Sequence, residues 1–346
     1  MGRVLVVLNV YFQAVTLHER NTLLSLPLYQ VQLEMGKEYR RYRDGSVHHV
    51  YSKAVDGNII FYSVKDCIFY LTLYYHLARR YGIKTLAFCI MPNHVHSNEK
   101  APSRDDFILF HCRLNSEFSQ GYNAQHKRKG ALFAKSFGFA PKVVAKRVRD
   151  SIAYVVNNPF VGNLSKNIEE YRWNLMAYRN TDHPFSEKIR MNKASYRLRR
   201  SLSILKYYHN KGIPLDYTCQ KILFKGLSKK ETAQLRDRII TMHNFLDYKA
   251  MAQFYQGDIE KAVTVISANS GSEYDIPEDF EDYSVYQLMI RMTQELGFDM
   301  ETCNFEILSS EELTRLIEKF SFAGFSVKQI RKYLHLSLDW GSGRGV

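Results

Sequence analysis

Apolar side chains recur at helical spacing through SVKDCIFYLTLYYHLARRYG (63–82), with Ser63 placed to cap the start and Gly82 to stop it. This predicts a helix. The run before it, SVHHVYSKAVDGNIIF (46–61), carries Asp56-Gly57-Asn58 between apolar stretches, so two short strands about a tight turn are expected. IKTLAFCIMPNHVH (83–96) reads as a further strand. Segments 105–126 and 142–157 read as helices, the second opening just after Pro141. Hairpin, helix, strand and further helices amount to a small α+β sandwich.

Beyond about residue 185 the strand signals fade. SYRLRRSLSILKYYHNKG and SKKETAQLRDRIITMHNFLDYKAMAQFY are charged and helical in period, and Gly212-Ile213-Pro214 breaks the chain after the first of them. SGSEYDIPEDFEDYS (270–284) is acidic and reads as an exposed linker. The final stretch, SSEELTRLIEKFSFAGFSVKQIRKYLHLS (309–337), gives two short helices about Gly324, the spacing of a helix-turn-helix. Ser309 or Ser310 would cap the first helix, whose Leu313, Leu316, Ile317 and Phe320 share one apolar face. Ser326 would cap the second, turning Val327, Ile330 and Leu334 inward and Lys328, Gln329, Arg331 and Lys332 outward, as a recognition helix meets a major groove. A helical hairpin that closes a core fits the same pattern, and Glu311, Glu312 and Glu318 on the first helix would repel duplex DNA. The organisation expected is therefore an N-terminal extension (1–45), an α+β domain (46–184), a basic helical region (185–269), the acidic linker (270–284) and a helical C-terminal region (285–346). No internal repeat is apparent.

Composition changes this picture mainly through charge. The 346 residues are 45% hydrophobic and 24% charged, ordinary for a chain with a real core. Five cysteines, at 67, 89, 112, 219 and 303, form no CxxC pair, which argues against a disulfide framework or a structural zinc site and for a cytoplasmic location. VLVVLNVYF near the N-terminus is about half the ~20 residues a membrane span requires, so no membrane partner is expected. The net charge of +13 is concentrated: residues 101–250 hold 28 Lys and Arg against 12 Asp and Glu, and the rest of the chain holds 20 against 23. Such a block calls for a polyanionic partner, because each phosphate neutralised releases counterions. Lys127, Arg128 and Lys129 lie among aromatic residues, and Lys146, Arg147 and Arg149 open the helix after Pro141; these six are the candidate DNA-binding cations there, joined by Lys328, Arg331 and Lys332.

Two motifs carry chemistry. On a strand, His94 and His96 of MPNHVH point to one face and can hold one divalent ion between them. A His-x-His pair alone also fits two hydrogen-bonded histidines. Some sixty residues on, Tyr154 and Asn158 of RDSIAYVVNNPFVGNL share a helix face just before Pro159, where the helix is expected to end. MPNHVH on a strand end followed by Tyr-x-x-Asn-Asn-Pro on a helix resembles the HUH single-strand endonucleases, specifically the single-tyrosine transposases that include the REP-associated tyrosine transposases. The likeness covers residues 46–180, and HHVYSKAVDGNIIF, YGIKTLAFCIMPNHVH and NAQHKRKGALFAKSF stand in the family's order.

The resemblance implies a ferredoxin-like or RRM-like antiparallel sheet with packed helices. It implies Tyr154 as nucleophile, and His94, His96 and Asn158 as ligands of Mg²⁺ or Mn²⁺, with Asn157 the competing third ligand. It implies cleavage and rejoining of single-stranded or hairpin DNA through a 5′-phosphotyrosine. Flanking duplex would suit the C-terminal helix pair, and a homodimer is among the partners, since relatives include domain-exchanged dimers and apparent monomers. The sequence departs from the family in HVHSNEK, polar where the family's strand continues apolar, which bears on the length of that strand. Two other readings use the same features: a catalytically inactive DNA-binding protein derived from a transposase, and an RNA-binding sheet with stacking aromatics. No K/R-G-F-G-F-V motif supports the latter.

Overall fold

Ser63 and Gly82 bound the first helix as their residue types require. In the computed structural model, which describes residues 42–134, 137–269 and 281–341, α1 (Val64–Tyr81) starts with a capping box in which the Ser63 hydroxyl and the Asp66 carboxylate each accept the other's backbone N–H. It stops at Gly82, whose φ of 64° suits a residue without a Cβ. Four strands follow the order β1 (Val47–Lys53), β2 (Lys84–Met91), β3 (His94–Lys100) and β4 (Gly138–Lys142). They pair antiparallel in the spatial order β2-β3-β1-β4. With α2 (Arg104–Gln125) between β3 and β4, the result is a β-α-β-β-α-β ferredoxin-like sheet, an α+β fold. A third helix, α3 (Ala145–Val161), continues from β4.

Two local expectations differ from what forms. No second strand follows the Asp56-Gly57 turn: both residues take positive φ (56° and 68°), but the chain then gives the Ile60 and Phe61 N–H groups to the Pro92 carbonyl and that of Ile59 to Lys332. The edges of β1 are already taken by β3 and β4, so a hairpin partner has no place. Pro159 likewise does not end its helix, which runs on to Val161. Within one turn of the C-terminus, proline deprives only the Val155 carbonyl of its N–H partner.

The sheet separates two layers. Glu99 of β3 faces α1 and α2, where Tyr74 donates to it at 2.5 Å and His111 meets it at 2.8 Å. Its neighbour Asn98 faces α3 and donates to Ser151 at 2.8 Å. β3 therefore keeps its full seven residues, and the polar HVHSNEK is buried up to its last residue. Burial pushes the Glu99 carboxyl up, but the charge of His111 and hydrogen bonds from His111, Ser97 and Tyr74 outweigh it and hold the group below its ordinary range.

The rest of the described chain wraps this sandwich. α4 (Tyr196–Lys211), α5 (Tyr217–Phe224) and α6 (Lys229–Met242) bury Leu198, Leu205, Leu223, Leu235 and Ile239 against Ile68 of α1. The chain then passes the β2 edge, where Asp247 N–H donates to Thr85, and α7 (Tyr248–Gln253) and α8 (Ile259–Ala268) reach α3. α9 (Ser284–Glu295), α10 (Ser310–Phe322) and α11 (Val327–Leu334) place Tyr286, Met289, Leu316, Phe320 and Tyr333 in the same core as the sheet. Ser309 and Ser326 cap α10 and α11 with capping boxes, and Gly324 turns between them at φ 83°. The N-terminal extension and the acidic linker lie outside the described residues except at 42–45 and 281–284. Among the described residues no helix is long and apolar enough to cross a membrane.

The Glu99 cluster sets a stability test. His111→Ala should cost on the order of 3–5 kcal/mol in denaturant unfolding, because it strands a buried carboxylate. Since the Glu99 pKa is depressed by folding, its contribution is present above the ordinary carboxyl value of about 4.3 and is lost as pH falls below it. The deficit of Glu99→Gln relative to wild type should shrink over that same interval.

Candidate active site

The histidine pair begins at a two-residue turn. Met91 and His94 are register partners, and Pro92-Asn93 joins them, proline supplying the fixed φ that opens such a turn. Asn93 is fully buried, and three of its polar groups have partners. Its carbonyl accepts from Ala54, its side-chain amide donates to the Gly57 carbonyl at 3.0 Å, and its Oδ1 lies 2.5 Å from His94 Nδ1. The left-handed Asp56-Gly57 turn thus presents a carbonyl to Asn93, and Asn93 orients His94.

Register places the functional side chains together. His94 pairs with Lys53, His96 with Tyr51 and Asn98 with His49, so all six stand on the α3 face of the sheet. The rings of His94 and His96 are 4.7 Å apart at 80°. His49 Nε2 meets His96 Nδ1 at 2.9 Å. From α3, the half-buried Tyr154 brings its ring to 5.6 Å from both His49 and His96. The predicted nucleophile and the predicted ligands are therefore neighbours, one turn of β2–β3 and one helix supplying them.

Each histidine of the pair keeps one ring nitrogen that could serve a divalent metal. A ligating histidine normally hands its other ring N–H to an acceptor, which fixes its tautomer. Here Asn93 Oδ1 stands at His94 Nδ1 and His49 Nε2 at His96 Nδ1, so Nε2 is the nitrogen through which each would coordinate. Coordination by His96 Nε2 would keep the shared proton on Nδ1, donated to His49. Among the described residues no group of three His, Cys, Asp or Glu suited to a metal occurs, so a third protein ligand has to come from another residue type. The two asparagines of α3 differ in this respect. Asn157 is buried and donates to the carbonyls of Ala153, Ile266 and Asn269, which commits it to α8. Asn158 is half-buried and four residues from Tyr154, on its face of the helix.

Sequence reasoning passed over four residues here. His49 looked like one of a pair in a strand, and only register assigns it to His96. Asn93 stood in a quoted motif without a role. Tyr283, at the far end of the acidic segment, donates its N–H to Gly162 and brings its ring to 5.8 Å from His94. A Cβ at Gly162 would come within 2.7 Å of the Tyr283 ring, so glycine there permits the approach. Lys53 is exposed opposite His94, and the alternation of β1 was its only signal.

The candidate DNA-binding cations fall in different settings. Lys146 and Arg147 are exposed and Arg149 half-buried on the first turns of α3, the helix that carries Tyr154. Lys127 and Lys129 are exposed beyond α2, but Arg128 is engaged by Glu306 at 2.7 Å and by Asn123 at 3.1 Å. On α11 only Lys328 faces out as expected. Arg331 and Lys332 are each 8% exposed: Arg331 donates to the Asp56 carbonyl, and Lys332 Nζ lies 2.6 Å from Glu281. Burial lowers the Lys332 pKa, against the opposing pull of Glu281. α11 is covered on two sides: Arg331 fastens it to the 55–62 segment and Lys332 to Glu281.

These features define a class: a ferredoxin-like α+β domain with a histidine pair and a tyrosine helix on one face of its sheet. No family model matches the sequence, and no curated protein matches it. Among solved structures, a REP-associated tyrosine transposase bound to a REP hairpin is similar, at 16% identity over 41% of this chain and 84% of that one, with a TM-score of 0.37.

His49 provides a test that needs no substrate. If it orients His96, His49→Ala should weaken Mn²⁺ binding by about 10- to 100-fold, the usual penalty for losing the partner of a ligating imidazole, with little change in melting temperature. Calorimetric titration of wild type and variant would measure it. Equal affinities would mean that the contact only packs the sheet.

Proposed function

We propose that the protein is a single-strand DNA endonuclease or transposase with Tyr154 as nucleophile. What supports the reading is the convergence of Tyr154 with His96 and His49, two rings at 5.6 Å, beside a His94 whose orientation is set by Asn93. In the reaction, the Tyr154 hydroxyl loses its proton and its oxygen bonds to a backbone phosphorus. The bond from that phosphorus to the 3′ oxygen breaks, and the leaving strand departs as a 3′-hydroxyl after taking up a proton. The product is a 5′-phosphotyrosine. Attack by another 3′-hydroxyl reverses these steps, so rejoining needs no nucleotide cofactor.

A phenol of ordinary pKa near ~10 is a weak nucleophile at neutral pH and depends on its surroundings. The half-buried setting of Tyr154 beside two imidazoles would limit its rotamers. Mg²⁺ or Mn²⁺ held by His94, His96 and Asn158 would supply Lewis-acid polarisation of a phosphate oxygen. Exposed Lys53, Lys146 and Arg147 flank the same face and would neutralise the DNA backbone on either side.

Tyr154→Phe should abolish the denaturation-resistant protein–DNA adduct and reduce cleavage by on the order of 10³-fold or more, with DNA binding retained. The assay is gel analysis of protein incubated with Mn²⁺ and single-stranded or hairpin oligonucleotides. His94→Ala and His96→Ala should behave likewise, and EDTA should reproduce them in the wild type. Cleavage that survives in the Phe variant would sink the assignment. Strand binding without cleavage by the wild type would instead favour the inactive DNA-binding reading.

Charge gives a second test. Neutralising Lys146 and Arg147 together should lower the slope of log K against log salt for single-stranded DNA by about 0.7 per phosphate contact. Arg128→Gln should leave the slope unchanged, because Glu306 already compensates that cation.

A further inference from the structure

The charge of the basic middle is not spent around Tyr154. Between Lys188 and Leu215 the sequence holds eight Lys and Arg and no Asp or Glu. Most of this stretch is α4, which starts at Ser195 and stops at Gly212 in a left-handed conformation. Its buried side is small and regular: Leu198, Ser201 and Leu205 pack toward α5 and α6. At 100° per residue, Arg199, Arg200, Lys206 and Lys211 fall on the opposite side together with Tyr196 and Tyr207, and all six are exposed. Tyr196 is 75% exposed and Tyr207 56%, unusual for residues that would otherwise add to a core.

Among the described residues none of these four cations forms an ion pair. The carboxylates at either end of the stretch are occupied elsewhere: Glu187 with Lys230 at 2.6 Å, and Asp216 as the cap of α5. Like charges on one helix face repel one another, and the carboxylate lining the adjoining cleft, Asp182, is paired with His183 and Arg238. α4 is nevertheless held firmly. The Ser201 hydroxyl donates to the Leu223 carbonyl, and His209 meets Tyr75 of α1 at 3.0 Å. A cleft of about 630 Å³ opens beside Arg199 and Lys206, and Lys188 and Arg238 also line it.

We propose that the outer face of α4 is a second DNA-binding surface, one that takes the phosphate backbone of a duplex without reading its sequence. Arg199 and Lys206 are seven residues apart, so about 10 Å separates them along a straight helix, with Lys211 a further ~7 Å on. A row of cations on one helix, flanked by tyrosine hydroxyls, suits contact with a duplex backbone. Single strands favour grooves with bases stacked on aromatics, and the cleft beside α4 has no Tyr, Phe or Trp in its lining. The surface lies beyond α1, on the side of the sheet away from His94, His96 and Tyr154. It goes beyond the cleavage reading and uses none of its residues.

The test is the variant Arg199→Gln/Arg200→Gln/Lys206→Gln/Lys211→Gln in the full chain, with folding checked by circular dichroism and thermal melting. Binding to a random-sequence duplex should lose about 3 to 4 units from the slope of log K against log salt, close to 0.9 per phosphate contact. Binding to a single strand of equal length should change little. An unchanged duplex slope overturns the proposal and leaves α4 a solvated face. A loss confined to single-stranded DNA, or to an RNA duplex run in parallel, also overturns it. Because Tyr154→Phe should keep this duplex binding and the quadruple variant should keep cleavage of short single strands, failure here is distinguishable from failure of the nuclease reading.

Discussion

A strand that is buried on both faces and yet reads His-Val-His-Ser-Asn-Glu must find a partner for nearly every side chain it carries. Polar groups removed from water without hydrogen bonds cost several kcal/mol each, and a buried network is stable only when its members are satisfied. β3 meets this condition in two directions. Toward α1 and α2 it offers Glu99, met by Tyr74, His111 and its own neighbour Ser97, whose hydroxyl donates to it. Toward α3 it offers His94, His96 and Asn98, received by Asn93, His49 and Ser151. One set ties the strand to the α1 and α2 layer, and the other gathers the histidines beneath the tyrosine helix. The sheet order, with β3 between β2 and β1, is what gives a single strand access to both.

Much of this was legible because local signals agreed with tertiary ones. Ser63, Ser326, Gly82 and Gly324 are caps and stops whose residue types leave few alternatives, and the elements they bound formed as read. The periods of strand and helix put His94 with His96 and Tyr154 with Asn158 on shared faces; that the two pairs belong together came only from the resemblance. What was hidden depends on register and on distant pairing. Nothing local tells that His49 meets His96, since that requires knowing that Tyr51 lies opposite His96. The Asp-Gly signal was genuine as a turn and misleading as a hairpin, because whether a strand follows depends on free edges elsewhere in the sheet. Arg331 and Lys332 were misassigned by the assumption that an amphipathic helix has one buried side. α11 is packed on two, and long basic side chains lie along apolar surface while their heads reach Asp56 and Glu281.

The distribution of cations acquires a different meaning once the layers are known. A net excess in the middle of the sequence looks like one patch, but the fold divides it between the tyrosine helix on one side of the sheet and α4 beyond the other. Part of the remainder is structural: Arg128, Arg172 and Arg179 are held by Glu306, Asp237, and Glu169 with Glu260. Counting charge along a chain therefore overstates what any one surface presents to a ligand.

The turn that carries Asn93 has a consequence for the order in which the protein is finished. Its support comes from the 54–61 segment, and that segment is itself closed by residues made much later: Ile59 N–H donates to Lys332, and the Tyr62 hydroxyl to Tyr333, a separation of 271 residues. Closing so long a loop adds only about 0.6 kcal/mol for each doubling of its length, so equilibrium tolerates it well. Time is affected more. At typical synthesis rates of about 5–20 residues per second, the sheet and the tyrosine helix leave the ribosome many seconds before α11 can brace the turn. His94 thus reaches its final setting only after α11 has been synthesised, long after the strand that carries it.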